Sequence, residues 1–125
     1  FSSPARQILE EYLNNNIKLQ DPFKAEGQCS RQTEKILGLL SYDNIYCQYY
    51  DIDIKNSKIT KSKFLSSCQD LIIPQWVKHI YLTKGPGSHW GEHRFPIVED
   101  FCIDFTARQF DKNSPWPLIW ETKWK

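Results

Sequence analysis

Apolar residues change their spacing once along this chain, and that change limits the folds open to it. Before Tyr42 they recur at helical intervals. Ala5, Ile8, Leu9, Tyr12 and Leu13 fall at i, i+3, i+4, i+7 and i+8, and Cys29, Thr33, Ile36, Leu37 and Leu40 at i, i+4, i+7, i+8 and i+11. After Tyr42 the segment from Asn44 to Ile54 is rich in β-branched and aromatic residues and alternates toward its end, which is the pattern of a strand. Helices first and strands afterwards predict an α+β fold with the N-terminal helices packed on a mostly antiparallel sheet, and disfavour an alternating parallel α/β fold.

Local signals set the expected boundaries. Ser3 before Pro4 reads as an N-cap with proline at the first helical position, and the Asn14-Asn15-Asn16 tract ends that helix. Ile17 to Gln28, with Asp21-Pro22 and Gly27 inside it, has no period and reads as loop. A second helix starts at Cys29. Lys55 to Lys63 is a polar connection, and Phe64, Leu65, Cys68, Leu71 and Ile72 suit a short third helix stopped by Pro74. Trp76 to Leu82 reads as a second strand and Gly85-Pro86-Gly87 as a loop. Phe95 to Val98 and Phe101 to Phe105 flank Glu99-Asp100 as a β-hairpin, and the tail with Pro115, Trp116, Pro117, Trp120 and Trp124 is expected to pack over the sheet.

A length of 125 residues suits a single domain over 1–125, which buries about two thirds of its unfolded surface. Its 5 Trp, 6 Tyr and 7 Phe build much of the core from rings, which rules out disordered and coiled-coil classes. A net charge of +1 and a mean hydropathy of -0.58, with no long apolar run, give no signal for a membrane or for nucleic acid. Starting at Phe1 and holding no Met, the chain reads as a domain cut from the C-terminal part of a longer one. Its 4 cysteines, Cys29, Cys47, Cys68 and Cys102, form no CxxC and have no His at ligand spacing, so neither a metal nor a cofactor is implied. Two disulfides, or one reactive thiol with three ordinary ones, both remain open.

Cys29 is the most informative position. A thiol in the first turn of a helix feels the positive end of the dipole and nearby free N–H groups, which favour thiolate, and its own backbone N–H can donate to an oxyanion. The plain alternative is an inert core cysteine at a helix start. A nucleophile needs a base, and the chain holds only His79, His89 and His93. His79 reads as a strand residue. His89 and His93 follow the Gly85-Pro86-Gly87 loop, where a strand leaves a mobile mouth. Asp104, between Ile103 and Phe105, can orient an imidazole, cap a backbone N–H or pair with Arg108. A hairpin register that sets His93 opposite Asp104, Phe95 opposite Cys102 and Ile97 opposite Asp100 leaves Val98-Glu99 as the turn. It favours His93 over His89 as the base and turns the His93 face toward the Cys29 helix.

The order Gly27-Gln28-Cys29 at a helix start, a distant His leading a strand, and the return from Cys102 to Phe110 together resemble the papain-fold toxin domains of bacterial polymorphic toxin systems. The resemblance runs from about Cys29 to Pro117, and its most specific part is Asp-x-Thr-x-x-Gln-Phe, Asp104 to Phe110, with the following Pro-Trp-Pro. It implies a minimal papain-like core, with Cys29, His93 (or His89) and Asp104 as the catalytic residues. It also implies a peptidase or glutamine deamidase, without cofactor and as a monomer, that is delivered into a target cell and acts on a protein in its cytoplasm. A cognate immunity protein in the producer is implied as well. Phe23 stands where the papain-type oxyanion glutamine would be, six residues before Cys29, which leaves Gln20 as the candidate second donor. The rival expectation is a non-catalytic module that binds protein or nucleic acid through Lys55, Lys58, Lys61 and Lys63 near Tyr46, Tyr49 and Tyr50. The bland reading of that stretch is a solvated connection beside strand aromatics.

Overall fold

The computed structural model describes residues 1–66 and 69–125. Its class is α+β, as the single change of period predicts. Helix α1 (Ser3–Asn15) is capped by the Ser2 hydroxyl, one residue before the expected cap, and buries Ala5, Leu9 and Tyr12. The stretch expected to be loop carries a 3-10 turn (Ile17–Gln20) and a four-residue helix α2 (Pro22–Ala25), whose first free N–H groups are met by Asp21. Both are too short to carry a period. Helix α3 (Cys29–Tyr42) buries Gln32, Thr33, Ile36 and Leu40. Gln32 is held from across the helix pair by a hydrogen bond from the Tyr12 hydroxyl.

The sheet has five antiparallel strands in the order β2-β1-β3-β4-β5, where β1 is Cys47–Lys55, β2 Lys58–Lys61, β3 Glu92–Val98, β4 Phe101–Asp104 and β5 Leu118–Glu121. Two strands lie in segments read otherwise from the sequence. The polar connection folds back as the β1–β2 hairpin through Asn56 (φ 53) and Ser57 (φ 59), two left-handed residues that form a tight turn without glycine. The tail adds β5 as an edge strand on β4 rather than lying over the sheet.

Trp76 to Leu82 is not a strand. It is helix α4 (Gln75–Tyr81), following Pro74, with Val77, Ile80 and Tyr81 buried at i, i+3 and i+4 and Trp76 and His79 exposed. Helical spacing overrode the β-branched and aromatic composition. The expected third helix is absent among the described residues: Leu71 instead bridges to Trp124, and Cys68 lies outside the described residues.

The sheet has a core on each face. One gathers Tyr50, Ile52, Phe95, Ile97, Leu118 and Trp120 with Val77, Ile80 and Tyr81 of α4; the other gathers Val98, Ile103 and Phe105 with α1 and α3. The β3–β4 hairpin turns at Glu99-Asp100, pairing Val98 with Phe101 and Ile97 with Cys102, two positions away from the expected register. An even shift preserves parity, so His93 and Asp104 still share a face. That face is the one covered by α4, however, and not the one covered by the Cys29 helix.

Pro96 explains where the two strands part. Gly91 O accepts from Ile54 N at 2.6 Å, so the odd-numbered residues of β3 exchange hydrogen bonds with β1 and the even-numbered ones turn their N–H groups toward β4. Pro96 has no N–H to offer there, and the β3–β4 ladder ends at Ile97. Below that point β3 is paired on one side only.

Burial on this sheet sets its sensitivity. Phe95 is fully buried between Tyr50 and Trp120, whereas Ile119 is 38% exposed. Phe95→Ala is expected to cost about 3–5 kcal/mol and Ile119→Ala less than about 1 kcal/mol, read from denaturant midpoints. Equal costs would mean that the α4 face is not a packed core.

Candidate active site

Cys29 is the first residue of α3, behind a Gln28 N-cap that makes no side-chain capping bond. The backbone N–H groups of this first turn therefore have no acceptor within the helix and point, with the positive end of its dipole, into the space around the thiol. Gly27 (φ 71) provides the left-handed residue that brings the chain out of α2 into this start. The Cys29 side chain is half-buried.

From the other face of the sheet comes a buried pair. His93 Nε2 lies 2.5 Å from Asp104 Oδ2, with both side chains 1% exposed. The same oxygen accepts from the Tyr81 hydroxyl at 2.7 Å, and Asp104 Oδ1 accepts from the backbone N–H of Thr106 at 2.9 Å. Phe110 packs edge-on to the imidazole with ring centroids 4.7 Å apart. With Nε2 taken by Asp104, Nδ1 is the free ring nitrogen. It is buried, and no hydrogen bond of normal length reaches it. Cys29 is nevertheless near enough for this ring to influence its titration.

Electrostatics make the coupling explicit. Burial is the strongest single influence on Cys29 and pushes the thiol up. Hydrogen bonding and positive charge from His93, with the backbone N–H of Arg94, together outweigh it, so the thiol lies below its ordinary 9.0. That Arg94 N–H is one of those left on the β4 side of β3 beyond Pro96. Burial likewise favours a neutral His93, yet the Asp104 carboxylate and then Cys29 raise it from 6.5 to about 10. Burial also opposes charge on Asp104, and His93, Tyr81 and the Thr106 N–H hold it below the usual carboxylate value. Tyr81 is raised well above 10, first by burial and then by Asp104, and remains a hydroxyl donor. The arrangement therefore favours thiolate at Cys29 more than an ordinary cysteine does, beside a His93 that holds its proton and a carboxylate behind it.

Cys29, His93 and Asp104 are brought together. His89 is not: it sits in the 3-10 turn Pro86–Trp90, exposed, with Nδ1 2.7 Å from Pro86 O and Nε2 3.4 Å from the Glu26 carboxylate. The sequence register that would have served it does not form, because the hairpin turns at Glu99-Asp100. Gln20 is also remote. Its carbonyl is held by Arg108 Nη1 at 3.3 Å and its side chain is exposed, so Gln20 is not brought to the thiol as a second donor beside the Cys29 N–H. Asp104 caps a backbone N–H as well as holding His93, and Arg108 turns to Ser114 O instead of pairing with it.

Cys102 is buried and raised to about 12 by burial; Cys29, Cys47 and Cys102 are all free thiols. Lys61 pairs with Asp70 at 3.5 Å and Lys63 lies over Phe64, so two of the four lysines of the basic stretch have local partners.

Two contributors escaped the sequence reading. Tyr81 was hidden by taking its helix for a strand, although the spacing of Val77, Ile80 and Tyr81 carried the signal. Arg94 was not singled out; it clamps Asp51 through Nε at 2.7 Å and Nη2 at 3.0 Å and stacks on Tyr49, fixing the wall beside the thiol. The cleft at Cys29, walled by Ser30, Ser62, Phe64 and Glu92, holds about 150 Å³. A larger hollow of about 700 Å³ between α1 and α3 is lined by Ile8, Tyr12, Leu39 and Tyr42, and its lining includes no cysteine, serine or histidine. No protein-family model, curated protein or solved structure matches the chain.

The raised His93 value carries a pH dependence. Between 6.5 and about 10 the folded chain holds a proton that the unfolded chain releases, so stability is full below 6.5 and falls as pH rises through that window. The lowered Asp104 acts in the opposite sense, its contribution being lost as pH falls below 3.8. Urea midpoints of Cys29→Ala, which keeps the His93–Asp104 pair but loses the Cys29 contribution to it, should decline above pH 6.5 over a window that closes below about 10; a flat profile above 6.5 would count against a protonated His93.

Proposed function

We propose that this protein is a cysteine-dependent hydrolase that attacks a peptide bond or the side-chain carboxamide of a target protein. The observation that carries the reading is the convergence of a half-buried helix-start thiol with a fully buried His93–Asp104 pair whose second ring nitrogen is unoccupied. A core cysteine with no chemical task needs neither a lowered pKa nor a buried imidazolium beside it.

In this reading the Cys29 thiolate adds to the carbonyl carbon, and the Cys29 backbone N–H at the α3 N-terminus stabilises the oxyanion. His93 Nδ1 gives its proton to the departing amine or ammonia, which leaves a thioester. Water then attacks the thioester with neutral His93 as base, releasing the carboxylate and restoring the thiolate–imidazolium pair. Asp104 keeps the ring's Nε2 side fixed and stabilises its charge, and Tyr81 fixes Asp104. A cleft of about 150 Å³ has room for a carboxamide side chain or a strip of extended backbone, which suits a protein substrate better than a large free ligand.

The resemblance to papain-fold toxin domains extends this reading. The Asp104, Thr106 and Gln109 of its most specific stretch are all buried at the site. On that basis we assign the protein to a minimal papain-like core delivered into a target cell and neutralised in the producer by an immunity protein. Deamidation and proteolysis share every step above and differ in the amine released.

Proteome-wide mass spectrometry of cells expressing the active form and Cys29→Ala separates the two. Glutamine-to-glutamate conversion without new termini identifies a deamidase, and new termini a peptidase; either should vanish in Cys29→Ala, with turnover falling by more than about 10⁴-fold. His93→Ala should fall comparably, Asp104→Ala less, and His89→Ala should stay within about twofold. Cys29→Ala cells indistinguishable from those with the active form would overturn the enzyme reading.

A further inference from the structure

Resting on that catalytic centre, we propose that Gln109 is a positioning residue that ties the carboxylate end of the triad to the backbone entering the nucleophile helix. Its side chain is 2% exposed and bridges two parts of the site that meet also at the Arg94 N–H. Nε2 donates to Thr106 Oγ1 at 3.0 Å, and Thr106 Oγ1 in turn lies 3.3 Å from Asp104 Oδ1, which also takes the Thr106 backbone N–H. At the other end Oε1 accepts from the backbone N–H of Gly27 at 3.3 Å, two residues before Cys29. Gly27 N–H can only donate, which fixes the amide: oxygen toward the Cys29 loop, nitrogen toward Thr106. Thr106 Oγ1 accepts from that nitrogen and donates its own O–H to Asp104 Oδ1, so each group is used in one sense.

The Gly85-Pro86-Gly87 loop, which the triad leaves without a task, packs directly on this amide. A Cβ on Gly87 would fall 2.2 Å from Gln109 Oε1, and one on Gly85 would fall 2.3 Å from Gln109 O. Both glycines are there because nothing larger fits against Gln109, and the close packing leaves the amide no room to swing away from Gly27. Cys29 and the His93–Asp104 pair arise on opposite faces of the sheet, and no hydrogen bond of normal length joins thiol to ring. Their separation is set by what holds the two frames together. Gln109 does so through hydrogen bonds on both sides, alongside the 3.7 Å Arg94–Glu34 ion pair that ties β3 to α3.

The test measures alkylation of Cys29 by iodoacetamide, followed on its own peptide by mass spectrometry across pH, in the intact chain. Gln109→Leu should slow the reaction at pH 7 about tenfold and move the thiolate midpoint up toward that of an ordinary thiol, because a displaced loop takes Cys29 away from His93. Thr106→Val, which keeps the backbone N–H to Asp104 but removes the hydroxyl link, should do the same, and the double variant should be no worse than either single one. Thr106→Ser should retain the wild-type midpoint. A purely structural role would lower the urea midpoint and leave the thiolate midpoint of the folded fraction unmoved, and that result overturns the proposal. Should Gln109→Leu fail to fold, Thr106→Val decides by the same readout. His93→Ala separates the two levels of the argument. If it leaves Cys29 reactivity unchanged, the catalytic reading itself falls; if it slows alkylation while the relay variants do not, only the Gln109 proposal falls.

Discussion

One buried carboxylate organises this molecule. Asp104 lies at the end of β4 with almost no exposure, and a charge in that position is costly unless every lone pair it offers is used. It is satisfied by donors from three other places: His93 on β3, Tyr81 on α4 and the turn at Thr106. Each donor belongs to an element with its own apolar reason for being on this face, such as Val77 and Ile80 on α4 or Phe95 and Ile97 on β3. The polar cluster thus fixes the azimuth and height at which apolar elements dock, where packing alone tolerates small slips.

The second constraint is a missing hydrogen bond. Pro96 cannot supply the N–H that the next rung of the β3–β4 ladder requires, so the two strands stop pairing above His93 and Asp104. This lets His93 and Asp104, which share the α4 face, come close to a thiol whose helix packs on the other face. It also leaves the Arg94 N–H without a ladder partner and within reach of Cys29. An uninterrupted ladder would present His93 to the α4 core alone and turn Arg94 N–H into a sheet bond.

Much of this was legible in the sequence, and the failures have physical causes. The three residues that the fold brings together could be singled out because each is chemically conspicuous where it stands: a thiol at a helix start, an imidazole with the parity of Phe95 and Ile97, and an aspartate inside an apolar run. The register was off by two and the juxtaposition of His93 with Asp104 survived, since parity is insensitive to an even shift. The face toward which His93 turns was misjudged, because parity says which residues share a face and nothing about which helix covers it. Tyr81 was lost to composition: Trp, Val, Ile and Tyr favour strands when counted, yet seven residues spaced for one helical face need only one face to bury. The β1–β2 hairpin escaped because Asn56-Ser57 reaches the left-handed conformation without the glycine that usually announces it.

Reactivity and stability draw on the same pair in opposite senses here. The Asp104 charge that raises His93 to about 10 keeps the imidazole protonated and so favours thiolate at Cys29, but a ring held too firmly as imidazolium is a poor base for the second half of a hydrolysis. The resolution lies in the chemistry itself. In the proposed hydrolase reading, the charge leaves the sulfur once the thiolate has added to the carbonyl carbon, and with it goes one of the two influences that raise His93; the ring then releases its proton to the leaving group more readily than it would in the resting site, and the thioester forms as that group departs. In that reading Cys29 is both nucleophile and the variable charge that sets the base. Tyr81 acts on the remaining influence. By sharing Asp104 Oδ2 with His93 it spreads the carboxylate's charge over two donors, which tempers the hold on the imidazolium without removing the oxygen that orients it.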